Sequence, residues 1–425
     1  MKKIKLIVFA SLLHDKTSVI KSRSALFTAL RNIAEIEILY PMVLSKETED
    51  KDEEAVTVCF IATGGTEEIF KTYLNLLPRP IFLLSDGFHN SLAASFEICT
   101  YLKDNGIESK LLNAPLDYDQ KFFEYMDKEL FSNHNDEPDA LTLEKIEYPK
   151  HILHSLSKTK IGLIGGESPW LISSAVDIPY IEKTYGVQFV NIEILELQML
   201  FEKMETNTPE FNFLFQKLNR FLSGDRTPKD LNEAIKMYFA IKKLCEKYML
   251  NALTIKCFDL LDTCKTTSCL ALALLNDEGI VSGCEGDIPS LWTMIYAKAL
   301  TYQPSFMVNP SSTNKDDYTI DFSHCSVPLT FVHGYRLPSH FESSIGIGVS
   351  GSVPCGEYTI MKICGKHLDQ IYKANGIIVM NTNVPQRCRT QVRFRFNSRE
   401  EFDTFMANRI GNHVVLMKQT DSYGI

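Results

Sequence analysis

Residues 279–300 read GIVSGCEGDIPSLWTMIYAKAL. A short apolar run comes first. A turn follows with two acids, Glu285 and Asp287, and glycines before and between them. A helical run then begins just after Pro289. Proline suits the first turn of a helix, where its missing N–H costs nothing. Asp287 therefore reads as the N-cap, accepting a backbone N–H at the positive end of the helix dipole. Glu285 lies before the cap, so capping does not account for it. A carboxylate at the mouth of a buried strand costs free energy unless it is paired, hydrated or bound to a cation. In open parallel sheets, ligands bind outside the carboxyl ends of the strands. The stretch thus predicts a buried strand, a ligand-facing turn and a helix.

The same grammar extends upstream. TKIGLIGG (159–166), VQFVNIEIL (187–195) and ALTIKCF (252–258) read as strands, the last delivering Asp259 at its end. PKDLNEAIKMYFAIKKLCEKYML (228–250) is a long amphipathic helix with Pro228 and Asp230 near its start. Earlier still, IKLIVFA, EIEILY, VTVCFIA, PIFLLS and SKLLNA alternate with helical patterns. Continuous apolar strands interleaved with helices imply parallel sheets covered on both faces. The charge run KETEDKDEE (46–54) reads as a solvated loop, and SNHNDEPDALT (132–142) as a boundary.

Downstream of Pro304 the character changes. PLTFVHG, EYTIMKICG, GIIVMNTNV, TQVRFRF and HVVLMKQ are short β runs broken by Gly, Pro, Asn and Ser, with one helix, REEFDTFMANRI. These predict a small antiparallel barrel or sandwich. The expected fold class is α/β: two open, doubly wound parallel-sheet domains at 1–150 and 151–303, followed by a β-rich, barrel-like domain at 304–425.

Bulk properties exclude several functions. The net charge is −9 and no long basic cluster occurs, which argues against nucleic-acid partners. No apolar run reaches the length that spans a membrane. The start MKKIKLIVFASLLHD imitates a signal peptide but reads better as a first strand, with no convincing cleavage site. Eleven cysteines occur without a CxxC pair, and several sit in apolar runs as small hydrophobes. A reducing cytoplasm is the expected compartment. The glycine-rich pieces ATGGTEE (62–68) and LIGGES (163–168) read as tight strand-to-helix turns rather than phosphate cradles. Trp170 and Trp292 read as core residues.

Three histidines stand in suggestive places: His324 in DFSHCSVP, His340 in RLPSHFES and His413 in GNHVVLMK, just before the last strand. A single histidine is more often structural than a ligand. Together with Glu285 these offer the carboxylate and imidazole donors that a divalent ion such as Mn²⁺ accepts.

The order of parts and the motif GCEGDIPSLWTM resemble the L-fucose isomerase and L-arabinose isomerase superfamily, closest to its shorter fucose isomerase-like proteins. The likeness is strongest from about Asn232 onward. It implies that Glu285 is a metal ligand and acid/base, that His324 in SHCS is a second ligand, and that His413 in GNHVVL is the last. Members carry a second metal-binding carboxylate at the end of the strand that here reads PSFMVNPSS. The matching position is Asn309, which carries no charge and cannot act as a base. The resemblance implies aldose–ketose isomerisation of a pentose or deoxyhexose through a cis-enediol, with Mn²⁺ holding the sugar oxygens. It also implies homo-oligomers with sites at subunit interfaces. Asp259, Arg336 and His340 are candidate sugar contacts. Asn309 keeps two other readings open: a non-catalytic or regulatory sugar-binding homologue, and a lyase or epimerase of a related sugar.

Overall fold

The computed structural model describes residues 2–41, 55–131 and 143–419. The charge run 46–54 and the boundary stretch 132–142 lie outside the described residues. The first parallel sheet holds β1 (Lys3–Phe9), β2 (Glu35–Leu39), β3 (Ala55–Ile61), β4 (Ile81–Ser85) and β5 (Ser109–Asn113), in the spatial order β2-β1-β3-β4-β5. Alternate residues of β1 enter different apolar clusters. Ile4, Leu6 and Val8 pack on one face, and Ile7 and Phe9 on the other. A strand buried on both faces shows no polar side, which is why Leu6–Phe9 is unbroken apolar sequence.

The second parallel sheet holds β6 (Lys160–Ile164), β7 (Gln188–Ile192), β8 (Ala252–Ile255) and β9 (Val281–Gly283), in the order β9-β8-β6-β7. The helix Pro228–Tyr248 covers it. Thr227 and Asp230 form a reciprocal capping box, and Pro228 occupies the first turn. Leu231, Ile235, Ile241 and Leu244 on its inner face are fully buried. Each contributes roughly 2 kcal/mol of hydrophobic transfer.

The third part is a closed antiparallel barrel of six strands: β10 (Phe306–Asn314), β11 (Thr319–His324), β12 (Gly356–Cys364), β13 (Gln370–Asn381), β14 (Thr390–Phe396) and β15 (Val414–Lys418). Their order is β12-β15-β10-β11-β14-β13, and pairing of β12 with β13 closes it. A two-residue strand, Glu144–Lys145, pairs with Gln370 and Ile371 at the start of β13. The helix Ser91–Asp104 packs against both the first sheet and β10, tying the barrel to the first α/β part.

Three expectations need correction. PLTFVHG is not a strand. The Asp277 carboxylate accepts the N–H groups of Leu329 and Thr330 at 3.0 and 3.1 Å, and the chain turns into a 3₁₀ helix at Leu329–Phe331. ALTIKCF stops being a strand at Ile255, and Cys257–Asp259 is a 3₁₀ turn. Asp259 is therefore not a strand-end residue. VQFVNIEIL divides into β7 and a helix beginning at Ile194. No helix among the described residues is long and apolar enough to cross a membrane.

Candidate functional site

The carboxyl end of β9 faces the end of β11 and the start of β15. The turn after β9 is tightly specified. Glu285 and Gly286 both take positive φ, 61° and 67°. Gly286 can be nothing else. A Cβ there would stand 2.5 Å from the Gly166 carbonyl oxygen and 2.9 Å from the Glu167 Cα. The LIGGES turn at the end of β6 is thus the seat for this loop. Glu285 bears a left-handed conformation that is uncommon for a side-chain-bearing residue and costs strain.

Asp287 is the N-cap, as its place before Pro289 predicts, accepting the Ser290 N–H at 2.7 Å. It does more than cap. Its Oδ2 lies 2.9 Å from His413 Nδ1, and the Lys362 ammonium from β12 approaches it at 3.3 Å. Lys362 also donates to the Ser290 hydroxyl at 2.7 Å. All of these groups are buried. Burial opposes ionisation of Asp287, but Lys362 and His413 overcome it and hold its carboxyl far below the usual range.

The imidazoles are held from behind. His413 Nδ1 is tied to Asp287, and His324 Nδ1 to the Ser326 hydroxyl at 2.9 Å. Their Nε2 atoms face Glu285 Oε1 at 3.5 and 3.9 Å respectively. Trp170 Nε1 donates to the other carboxylate oxygen at 3.0 Å. Metal-binding histidines are commonly fixed through the far ring nitrogen in this way. His413 Nε2 is buried with no hydrogen-bond partner of its own. Burial would lower its pKa, but Glu285 and Asp287 raise it to about 9. His324 is driven the other way, to about 3, by burial and the neighbouring His413 charge. Glu285 stays below the ordinary carboxylate range, because the two imidazoles and Trp170 outweigh burial.

Asn309, on β10, donates from Nδ2 to Asn412 Oδ1 at 2.9 Å, and its own Oδ1 is buried without a partner. Asn412 is in turn fixed by Glu97, which accepts its N–H at 3.0 Å. His340 lies against Phe258, whose ring also meets Trp170. Its pKa falls to about 4 through burial, with the Glu285 charge opposing.

The structure thus brings Glu285, His324 and His413 together, with His340 beside them and Asn309 on the strand next to β15. Asp259 instead pairs with Lys256 at 3.3 Å, and Arg336 is exposed on the short strand Gly334–Arg336. Among the described residues, neither shares a hydrogen bond or ion pair with Glu285, His324 or His413. Trp292 is a core residue among Tyr148 and Tyr185, but Trp170 belongs to the site. Lys362, Cys284 and Glu67 were not singled out by the sequence. Cys284 Sγ, a Glu285 carboxylate oxygen and a His324 nitrogen lie within 4.8 Å of one another. The fully buried carboxyl of Glu67, in the ATGGTEE turn, has no hydrogen-bond partner for either oxygen.

Cys284, Glu285 and His324 bring a thiol, a carboxylate oxygen and an imidazole nitrogen close enough to suit a divalent cation, and His413 lies outside that trio.

No family model matches the chain. Curated sulfoquinovose isomerases from several bacteria do. That of Clostridium sp. (strain MSTE9) is 29% identical over 224 residues, 50% of this chain and 48% of the relative. That of Priestia aryabhattai is 22% identical over 244 residues, 55% and 52% of the two chains. That of Alkalicoccus urumqiensis is 21% identical over 236 residues, 53% and 52%. The chain therefore spans about half the length of the curated relatives it matches. A solved A-type ketoreductase from a modular polyketide synthase aligns over 66% of this chain and 78% of its own at 11% identity, with a TM-score of 0.27. The similarity in sequence is to sugar isomerases.

Proposed function

We propose that the chain is an aldose–ketose isomerase of the L-fucose and L-arabinose isomerase superfamily, built around Glu285. The observation that carries this is one carboxylate faced by two imidazoles, each tied from behind, at the carboxyl edge of a parallel sheet. The sulfoquinovose isomerase relatives support a sugar as substrate. Glu285 is the group that takes the proton from C2 of the open-chain sugar and returns it to C1. It is preorganised for this, because Trp170 fixes one oxygen. Asp287 and Lys362 hold His413 in place, so its Nε2 does not drift from the reacting carbons. A divalent cation such as Mn²⁺, held by Glu285, His324 and His413 with the Asn309 amide oxygen, would supply Lewis-acid stabilisation of negative charge on the sugar oxygens.

The test is conversion of sulfoquinovose, a pentose panel and a deoxyhexose panel in deuterium oxide, followed by NMR. Isomerisation by proton transfer places deuterium on the product carbon. Absence of any turnover with Mn²⁺, Zn²⁺ or Co²⁺ present would sink the proposal.

Asn309 favours a second reading, sugar binding without turnover, since the position lacks charge and its amide is already engaged with Asn412. Calorimetric binding of a sugar that is never converted would establish that reading instead.

A further inference from the structure

The metal-binding carboxylate that the fucose isomerase pattern places at position 309 is an amide here. Its loss leaves Glu285 as the anion between two imidazoles. Cys284 stands one residue before Glu285, where β9 ends, with its side chain buried at 4% exposure. Its sulfur belongs to the trio of donor atoms, with Glu285 and His324, that lie within 4.8 Å of one another. Ligands at about 2.0–2.3 Å from one tetrahedral ion stand roughly 3–4 Å apart, so the trio closes with small side-chain movements. A second observation concerns Glu285, one of the three. His413 Nε2 is fully buried, lacks a hydrogen-bond partner and lies 3.5 Å from Glu285 Oε1. On the far side, Cys257 Sγ lies 3.3 Å from Cys284 Sγ, where it can steady a thiolate as a weak S–H donor.

We propose that Cys284 is a thiolate ligand of the divalent ion, supplying the negative charge that Asn309 does not. The centre then takes a softer ion than Mn²⁺, of the Zn²⁺, Co²⁺ or Fe²⁺ kind, because thiolate donors select for these. This rests on the metal-centre reading above. On binding, the thiol proton leaves to solvent and the sulfur lone pair forms the bond to the ion, with no change in oxidation state.

The experiment is a Co²⁺ titration of chelator-stripped protein followed by absorption spectroscopy. Wild type should show the visible bands of bound cobalt together with a near-ultraviolet sulfur-to-cobalt charge-transfer band. Cys284→Ser should keep the visible bands and lose the charge-transfer band, and Cys257→Ser should keep both. X-ray absorption of the zinc-loaded wild type, which depends on no variant folding, should show a sulfur neighbour at about 2.3 Å. Visible bands without a charge-transfer band in wild type would overturn the thiolate while leaving a metal centre standing. A charge-transfer band lost in Cys257→Ser and kept in Cys284→Ser would assign the sulfur elsewhere and overturn the proposal. An unchanged spectrum throughout would remove the metal centre and the thiolate together.

Discussion

Arg387 and His413 are both buried basic side chains carried by the barrel, yet their surroundings are finished in different ways. Arg387 donates to the Gly87 carbonyl, to Asp321 and to the Ser312 hydroxyl, each at 2.7 Å. Asp321 also takes two bonds from Arg393, at 2.7 and 3.1 Å. Nearby, Arg23 satisfies Asp86 at 3.0 Å and the Ala62 carbonyl at 3.1 Å. Arg387, Asp321, Arg23 and Asp86 each have partners there, and the network joins the first sheet to the barrel. Around His413 the count does not close. His413 Nε2 and Asn309 Oδ1 are buried without partners, and Glu285 sits at a strained backbone position. A satisfied buried network holds parts together. One with donors left over is set up to receive something from outside.

Removing one charge from each network separates their roles. Glu285→Gln keeps an oxygen for Trp170 but removes the carboxylate proposed as base and anionic donor. Turnover should fall by at least ~10³-fold, near the upper part of the range for a lost acid–base group. Denaturant midpoints should move little. A variant that folds less well but turns over normally would reverse the roles assigned to the two networks.

Asp321→Ala tests the other side. It strands the buried Arg387 guanidinium and half of Arg393. The expected cost is about 3–5 kcal/mol of stability, the penalty for an uncompensated buried charge. Urea unfolding measures it. A loss under about 1 kcal/mol would mean that water reaches these groups and the network is not closed.

Asp287→Asn probes the link between capping and chemistry. Asparagine caps a helix as well as aspartate, so the Ser290 bond should survive. The carboxylate behind His413 is lost. Calorimetry with Zn²⁺ or Mn²⁺ should show affinity reduced about 10–100-fold, as for lost partners behind a metal-binding histidine. Unchanged affinity would leave Asp287 a cap alone.

What the sequence revealed of this site follows from range. GCEGDIPS was legible because strand end, cap and helix start are decided within a few residues. His413 was legible because it stands just before the last strand, whereas the strand Thr319–His324 that carries His324 went unread. The parallel sheets were legible because strands buried on both faces carry unbroken apolar runs. Lys362 was not, because its partner Asp287 lies 75 residues away and a lysine in a strand reads as solvent-facing. Cys284 passed as a small hydrophobe, which it resembles until its neighbours are known. PLTFVHG misled because the carboxylate that bends it, Asp277, belongs to another helix.

Glu67 is where the comparison is finest drawn. It lies in the first α/β part, fully buried, with neither oxygen hydrogen-bonded. Burial pushes its pKa well above the ordinary 4.5, its own backbone N–H partly opposes, and the charges of Glu97 and Glu285 push it further up. Above 4.5 the unfolded chain releases this proton while the folded protein keeps it. Stability therefore falls as pH rises through that window, at about 1.4 kcal/mol per pH unit for one proton, until the folded pKa is passed. Glu67→Gln removes that slope. The variant should gain on wild type as pH rises above about 5 in urea unfolding, whatever its absolute stability. Parallel curves would mean that the folded protein ionises Glu67 at its ordinary pKa. A cation or ordered water would then have to stand beside it, as around other buried groups left without partners.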